Sequence, residues 1–396
     1  MTPEDQLCLL LARGRFPPEA EQRARELLAA ALAWPRILER IRAHQILPLV
    51  CHNLERLGFP GVPEPVRAEL ADLFRSNAVR NIFLAKELAR VLALLGEAGV
   101  PVMPLKGTAL AESLYGDPAL RVCADVDVLV PPKYVAEAFQ LLLSSGYEPG
   151  FRQPPLVELL ARYGKDCLLM RQDRAGTYPL QLHCGLVWGG PVERDLLEDI
   201  WSEAGRRTFC GVAAFTLSAE WEFLYLAVHA ARHGLLPVKW LVDLDVLCSR
   251  GMIDWGHVKE KARTLAWEGA VQSSLSACAS LFNTPISPLF SPTESDVRRR
   301  FHAPHSSLQI PREVLFSAKL LKSRSRKLRF LAIRLFVPTS ADCRFLSLPS
   351  SLFFLYYLVR PLRLACMTAG WLVQAGLKNL WRMLRSFVRK VTATWN

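Results

Sequence analysis

VPVMPLKGTALAESLYGDPALRVCADVDVLVPP, running from Val100 to Pro132, sets two apolar runs around a polar break. The first run, Val100 to Leu105, reads as a strand; Lys106-Gly107-Thr108 interrupts it, and Ala109 to Tyr115 continues as a helix. A phosphate suits such a break, because Gly107 lets backbone approach a ligand closely and the first helical turn, with the Thr108 hydroxyl, offers free donors. After a Gly-Asp-Pro turn, Arg121 to Val130 reads as a second strand, in which Asp125 and Asp127 stand i, i+2 among valines and a leucine. That spacing puts both carboxylates on one face. Two anions projecting from an apolar strand repel each other and are costly to bury unpaired, and a divalent cation, Mg²⁺ or Mn²⁺, removes that cost.

Gly-Thr at a strand-to-helix break followed by Asp-Val-Asp-Val-Leu-Val on the next strand resembles the nucleotidyltransferase superfamily of polymerase-beta-type fold. The longer string, Leu105-Lys106-Gly107 with Tyr115, Arg121 and Asp125 to Val130, is similar to a bacterial branch of uncharacterised nucleotidyltransferases. Weaker similarity extends from Trp34 to Arg363. The resemblance implies an α+β fold, in which a small mixed sheet with helices on one side lies between helical subdomains. It also implies metal-dependent transfer of a nucleoside monophosphate from an NTP to a hydroxyl acceptor, with pyrophosphate released. Asp125 and Asp127 then hold the metal, and Lys106 and Arg121 either meet the phosphates or are surface charges. A His pair, His229 and His233, and the downstream Asp243 fall beside the cleft; the alternative for the pair is a hydrogen-bonded helix–helix contact. In this branch a third carboxylate lies in an acidic-Leu-His string, and the matching string here is Leu180-Gln181-Leu182-His183. Gln181 therefore occupies the acid's place, without charge and without the capacity to act as a base. His183, two residues on, shares its face and is either the nearest candidate for that work or a substrate contact, with Asp166 and Asp173 on neighbouring segments as further candidates. A fold that has kept nucleotide binding and lost turnover is the alternative reading.

With 396 residues, 51% hydrophobic and 22% charged, the chain has enough apolar surface for a large core. The first residues carry acids and no basic n-region, a poor signal peptide. The longest apolar runs, near Ser351 to Val359 and Ala365 to Val373, are too short to span a bilayer, so a cytoplasmic protein is expected. Ten cysteines are scattered without a Cys-x-x-Cys pair and read as reduced, buried thiols. The net charge of +12 is uneven: from Arg298 onward nineteen Lys and Arg face only Glu313 and Asp342. Because the stretch around the two aspartates has no basic run, nucleic acid is disfavoured as substrate.

The remainder divides by pattern. Residues 1–98 read as a helical subdomain, with a long helix from Val66 to Glu97; 99–217 as the catalytic core; 218–296 as a second helical subdomain; and 297–396 as a basic, amphipathic end. Within the core, Tyr134 to Ser144 reads as a helix, and Tyr147 to Gly150, Cys167 to Gln172 and Pro179 to Leu186 as strands. Ala219 to His233, Pro237 to Cys248 and Trp255 to Phe282 read as three helices, and the HAARH string lacks the Glu that a zinc protease helix needs. Between Gly376 and Val391, Lys378, Arg382, Arg385 and Arg389 lie on one helical face and Leu377, Leu380, Trp381, Leu384, Phe387 and Val391 on another, which suits either an anionic membrane surface or docking on the protein's own core.

Overall fold

The computed structural model describes residues 1–149, 156, 159, 162–163, 166–174, 176–186, 194–291, 293–302 and 324–367. It opens with α1 (Pro3–Leu11), α2 (Pro18–Leu28), α3 (Trp34–Ala43), α4 (Leu47–Leu57) and α5 (Glu64–Glu97). Thr2 and Asp5 form a capping box that fixes the start of α1, and Gly58, at φ +79°, ends α4 in the left-handed turn that a residue without Cβ adopts freely.

Strand β1 (Met103–Pro104) leads into α6 (Gly107–Tyr115), and β2 (Val126–Leu129) into α7 (Val135–Ser144). With β3 (Glu148–Pro149), β4 (Cys167–Asp173) and β5 (Gly176–His183) these strands make one sheet in the order β1-β2-β5-β4-β3. β2 and β5 run parallel and every other neighbouring pair antiparallel, so the sheet is mixed and the class α+β. Because side chains alternate across a strand, Val126, Val128, Leu180 and Leu182 turn to a core shared with α5, α7 and Tyr356. Asp127, Gln181 and His183 share the other face, since the register sets Asp127 beside Gln181 and Leu129 beside His183.

Downstream come α8 (Arg194–Ser202), a hairpin of β6 (Gly205–Phe209) and β7 (Val212–Thr216), and then α9 (Ala219–Arg232), α10 (Lys239–Cys248), α11 (Trp255–Leu265) and α12 (Glu268–Phe282). A single hydrophobic core joins α1–α4 to α9–α12, so helices that precede and follow the sheet in sequence pack together. The described residues close with α13 (Val297–Arg300), α14 (Arg324–Phe336), α15 (Ser340–Phe345) and a helical run at 356–367. Among the described residues no helix is long and apolar enough to cross a membrane. All ten cysteines are free thiols, seven of them buried.

Several elements differ from their sequence expectation. The strand expected over Arg121 to Val130 begins only at Val126. Ahead of it the backbone carbonyls are taken by side chains of α5 instead of by a ladder: Asn81 Nδ2 donates to Pro118 (2.6 Å) and Arg121 (2.7 Å), and Arg80 to Cys123 (3.2 Å) and Ala124 (2.7 Å). Asp125 therefore precedes the strand on which Asp127 lies. The helix expected from Ala109 starts two residues earlier, at Gly107. The single helix expected over Trp255 to Phe282 is two, divided at Ala266 in left-handed conformation, φ 60°. Helix α8 and the β6–β7 hairpin have no counterpart in the sequence expectation. The strand expected to reach Gly150 and the basic helix over Gly376 to Val391 extend into or lie in positions outside the described residues.

Candidate functional site

Gly107 organises the site. Its φ is +63°, and a Cβ there would lie 3.0 Å from the carbonyl oxygen of Asp125, so only glycine lets α6 begin against the segment that carries the two aspartates. The opening amides of α6 have no intrahelical acceptors, and the positive end of the helix dipole adds to their pull on an anion. Thr108 is buried in that first turn.

Asp127 is almost fully enclosed and twice compensated. Lys106 Nζ lies 3.1 Å from its Oδ1, and His183 Nε2 lies 2.8 Å from the same oxygen. Burial raises the Asp127 pKa, but Lys106 and His183 outweigh it and hold the carboxyl below its usual range. Burial opposes the charge on Lys106 too, yet Tyr225, Asp127 and Asp125 bring its pKa above normal, so it stays an ammonium. The antiparallel register of β4 on β5 sets Asp166 across from His183, and His183 Nδ1 reaches Asp166 Oδ1 at 2.6 Å. Burial alone would discharge His183; Asp166 and Asp127 overcome it and raise its pKa to about 9. An imidazolium has no lone pair to take a proton, so the base role expected of His183 does not suit this site at neutral pH. Asp166, its side chain 25% exposed, is open to solvent where Asp127 is not.

Asp125 differs. Its hydrogen-bond partner is Gln181, whose Nε2 donates to Oδ2 at 2.8 Å. Burial and the charge of Asp127 raise its pKa, with Lys106, His183 and Lys239 pulling the other way. This is the pattern of a carboxylate lacking its counter-charge. Asp125 Oδ1 and Asp127 Oδ2 have no hydrogen-bond partner among the described residues. The donor set is all oxygen, which fits a hard cation such as Mg²⁺ or Mn²⁺. Among the described residues no three His, Cys, Asp or Glu side chains converge as a closed metal cage, and magnesium bound through one or two carboxylates completes its shell with water and phosphate oxygens.

Arg121 and Asp243 are brought to each other instead of to this cluster. Arg121 Nε lies 3.1 Å from both Asp243 oxygens and Nη2 lies 2.9 Å from Oδ2, while the Tyr115 hydroxyl donates to Oδ1 at 2.9 Å. Asp243 is fully enclosed. The trio pins the loop before β2 to α6 and α10, a positioning role where contact with nucleotide had been expected. His229 and His233 pack with Trp240, each pair of rings 4.7 Å apart, and Tyr225 links them to Lys106, whose Nζ lies 6.0 Å from its ring. Burial, then Lys106 and His233, depress the His229 pKa, leaving a neutral ring behind Lys106.

Lys239 is a cation that the sequence reading passed over. It donates to the carbonyl of Val122 at 3.2 Å, beside the aspartate loop. Burial and Arg121 push its pKa down to about 8, against the pull of Asp243, Cys123 and Asp125. A lone Lys between apolar residues in LLPVKWLVDLDVL was the available signal.

Residues 30–283 match a protein family described as uncharacterised nucleotidyltransferase. The chain belongs to that family. The matched span holds every candidate residue of this nucleotidyltransferase site and ends at the close of α12. Among solved structures the chain is similar to an antigenic nucleotidyltransferase-like protein from Paracoccidioides brasiliensis, with 16% identity, a TM-score of 0.31, and coverage of 50% of this chain and 96% of that one. Comparison with curated proteins gives no match.

Proposed function

We propose that this nucleotidyltransferase moves a nucleoside monophosphate from an NTP to a hydroxyl acceptor in a Mg²⁺- or Mn²⁺-dependent reaction. The observation that carries the reading is Asp125: a carboxylate set against the start of α6, its pKa raised by burial and by Asp127, with one oxygen unpartnered among the described residues. Asp125 and Asp127 would hold the metal, whose contribution is to neutralise charge on the triphosphate. The amides of Gly107 and Thr108 and the ammonium of Lys239 would orient the phosphates. The acceptor oxygen bonds to the α-phosphorus, the bond from that phosphorus to the bridging oxygen of the β-phosphate breaks, and pyrophosphate leaves with the electron pair. The acceptor proton passes to Asp166, which His183 as imidazolium holds in place through its 2.6 Å contact. Lys106 keeps Asp127 ionised and fixed.

A second reading, nucleotide binding without turnover, draws on Gln181, whose amide stands beside Asp125 and supplies no charge. Incubation of the full chain with each labelled NTP, Mg²⁺ or Mn²⁺ and cell extract separates the two. Metal-dependent transfer of label to an acceptor, with pyrophosphate released, is expected; NTP binding with no transfer from any of the nucleotides would leave the second reading standing.

A further inference from the structure

Twelve of the seventeen large hydrophobic side chains that are exposed among the described residues fall within 324–367, so the outward apolar surface of the described residues is concentrated in this segment. It lies beyond the family match, which stops at residue 283. It is nonetheless built onto the protein. Phe330, Ile333 and Val337 of α14 and its following turn are buried, and Tyr356 and Cys343 join the core behind the sheet. Arg360 Nε donates to the Arg334 carbonyl at 2.9 Å, which ties the 356–367 helix to α14.

With its inner side satisfied, each of these two helices still carries an apolar stripe to solvent. On α14 it is Leu328, Leu331 and Leu335, at spacings of three and four; on the second helix and its approach it is Phe354, Leu358 and Leu362, four apart. The charges beside them have one sign. Asp342 is the only acid between 324 and 367, and it is fully buried, held by Arg360 at 2.9 Å and Arg363 at 2.6 Å. The exposed charges Arg324, Arg329 and Arg344 therefore have no acidic neighbour on this segment.

We infer that residues 324–367 dock the protein onto an anionic lipid surface, with the two leucine- and phenylalanine-bearing stripes entering the headgroup layer and the arginines meeting lipid phosphates and carboxylates. A nucleic acid would engage the arginines but leave the stripes in water; a soluble acidic partner would need apolar pockets at helical spacing. A bilayer offers both features at once and over a broad plane. The active-site residues belong to a different part of the fold, so docking and nucleotide chemistry are separable.

The test is co-sedimentation of the full chain with phosphatidylcholine vesicles and with vesicles that also contain phosphatidylserine. The wild type is compared with Leu358→Asp/Leu362→Asp and with Arg329→Glu/Arg344→Glu. All four substituted side chains are exposed, and unchanged melting together with unchanged NTP binding checks the fold of each variant. The expected result is pelleting of the wild type with phosphatidylserine vesicles alone, weakened by salt, and apparent affinity lowered about tenfold or more in either variant. Three outcomes overturn the inference: no pelleting, equal pelleting with neutral vesicles, or pelleting that neither double substitution alters, which would assign lipid contact to other residues. A dimer in vesicle-free buffer that Leu358→Asp/Leu362→Asp disperses would also overturn it, since the stripes would then be an interface between copies.

Discussion

Two buried carboxylate centres lie on opposite faces of the one sheet, and they are wired differently. On the face toward α5, Glu87 is 2% exposed and saturated: Arg171 reaches its two oxygens at 2.9 and 2.6 Å, Arg90 reaches Oε1 at 2.8 Å, and the Tyr147 hydroxyl donates to it as well. Burial pushes the Glu87 pKa up, and Arg171, Arg90 and Tyr147 bring it down to about 2. On the other face, Asp127 is compensated by Lys106 and His183, while Asp125 has a neutral amide as its partner and a raised pKa. The first centre is complete and locks α5 to β4. The second is short of a positive charge where the chain places a helix start, and that shortage is what the proposed metal site rests on.

The largest expected effect is on activity. Asp125→Asn keeps an acceptor for Gln181 and removes the repulsion with Asp127, so melting should be unchanged or slightly higher. Metal-dependent turnover should fall by about 100-fold or more, because the charge proposed to hold the cation is gone. Asp127→Asn is the poorer probe: it leaves Lys106 and the imidazolium of His183 facing an amide, so a loss of stability should accompany the loss of activity. Glu87→Gln inverts the pattern. It should retain activity and lose about 3 kcal/mol of stability, read as a lower urea midpoint. The sign with pH follows from a folded pKa below the unfolded one: the contribution of Glu87 is full above about pH 4.3 and is lost as pH falls toward 2.

Lys239 sharpens the contrast further. Lys239→Met should raise the KM for NTP about tenfold, near 1.4 kcal/mol, with no loss of stability, since a half-buried ammonium with a neutral carbonyl partner is replaced by an apolar chain. Its folded pKa of about 8 lies under the unfolded value, so NTP affinity should weaken as pH passes through 8, while the folded state gains stability between 8 and about 10.4. The smallest effect is expected for Gln181→Glu. A third carboxylate beside Asp125 should strengthen Mn²⁺ binding about threefold to fivefold and lower the melting temperature of the metal-free protein, as read by calorimetry.

What the sequence disclosed follows from locality. Lys106-Gly107-Thr108 and the Asp125 to Val130 string mark a strand, a break and a helix within a few residues, and β1, α6 and β2 follow that order. The length of β2 was not legible, because the groups that replace its ladder, Arg80 and Asn81, stand some forty residues earlier on α5. Asn81 falls inside the long helix expected there, and its amide is a partner for a distant loop. The β6–β7 hairpin was missed because its turn is Cys210-Gly211, both at positive φ, where Asn or Asp would have been the recognisable first residue. Ala266 likewise ends a helix in a conformation that alanine rarely adopts. At the site, Asp125, Asp127, Gln181 and His183 were visible as spacings on strands. The partnership of Asp166 with His183 depends on antiparallel register, and that of Arg121 with Asp243 on two segments 122 residues apart.

The direct measurement is a Mn²⁺ titration of the wild type, Asp125→Asn and Glu87→Gln, followed by the electron spin resonance of free Mn²⁺. The wild type and Glu87→Gln should bind alike, and Asp125→Asn at least about tenfold more weakly. Binding by Asp125→Asn as tight as that of the wild type would contradict the assignment of the cation to this pair of aspartates.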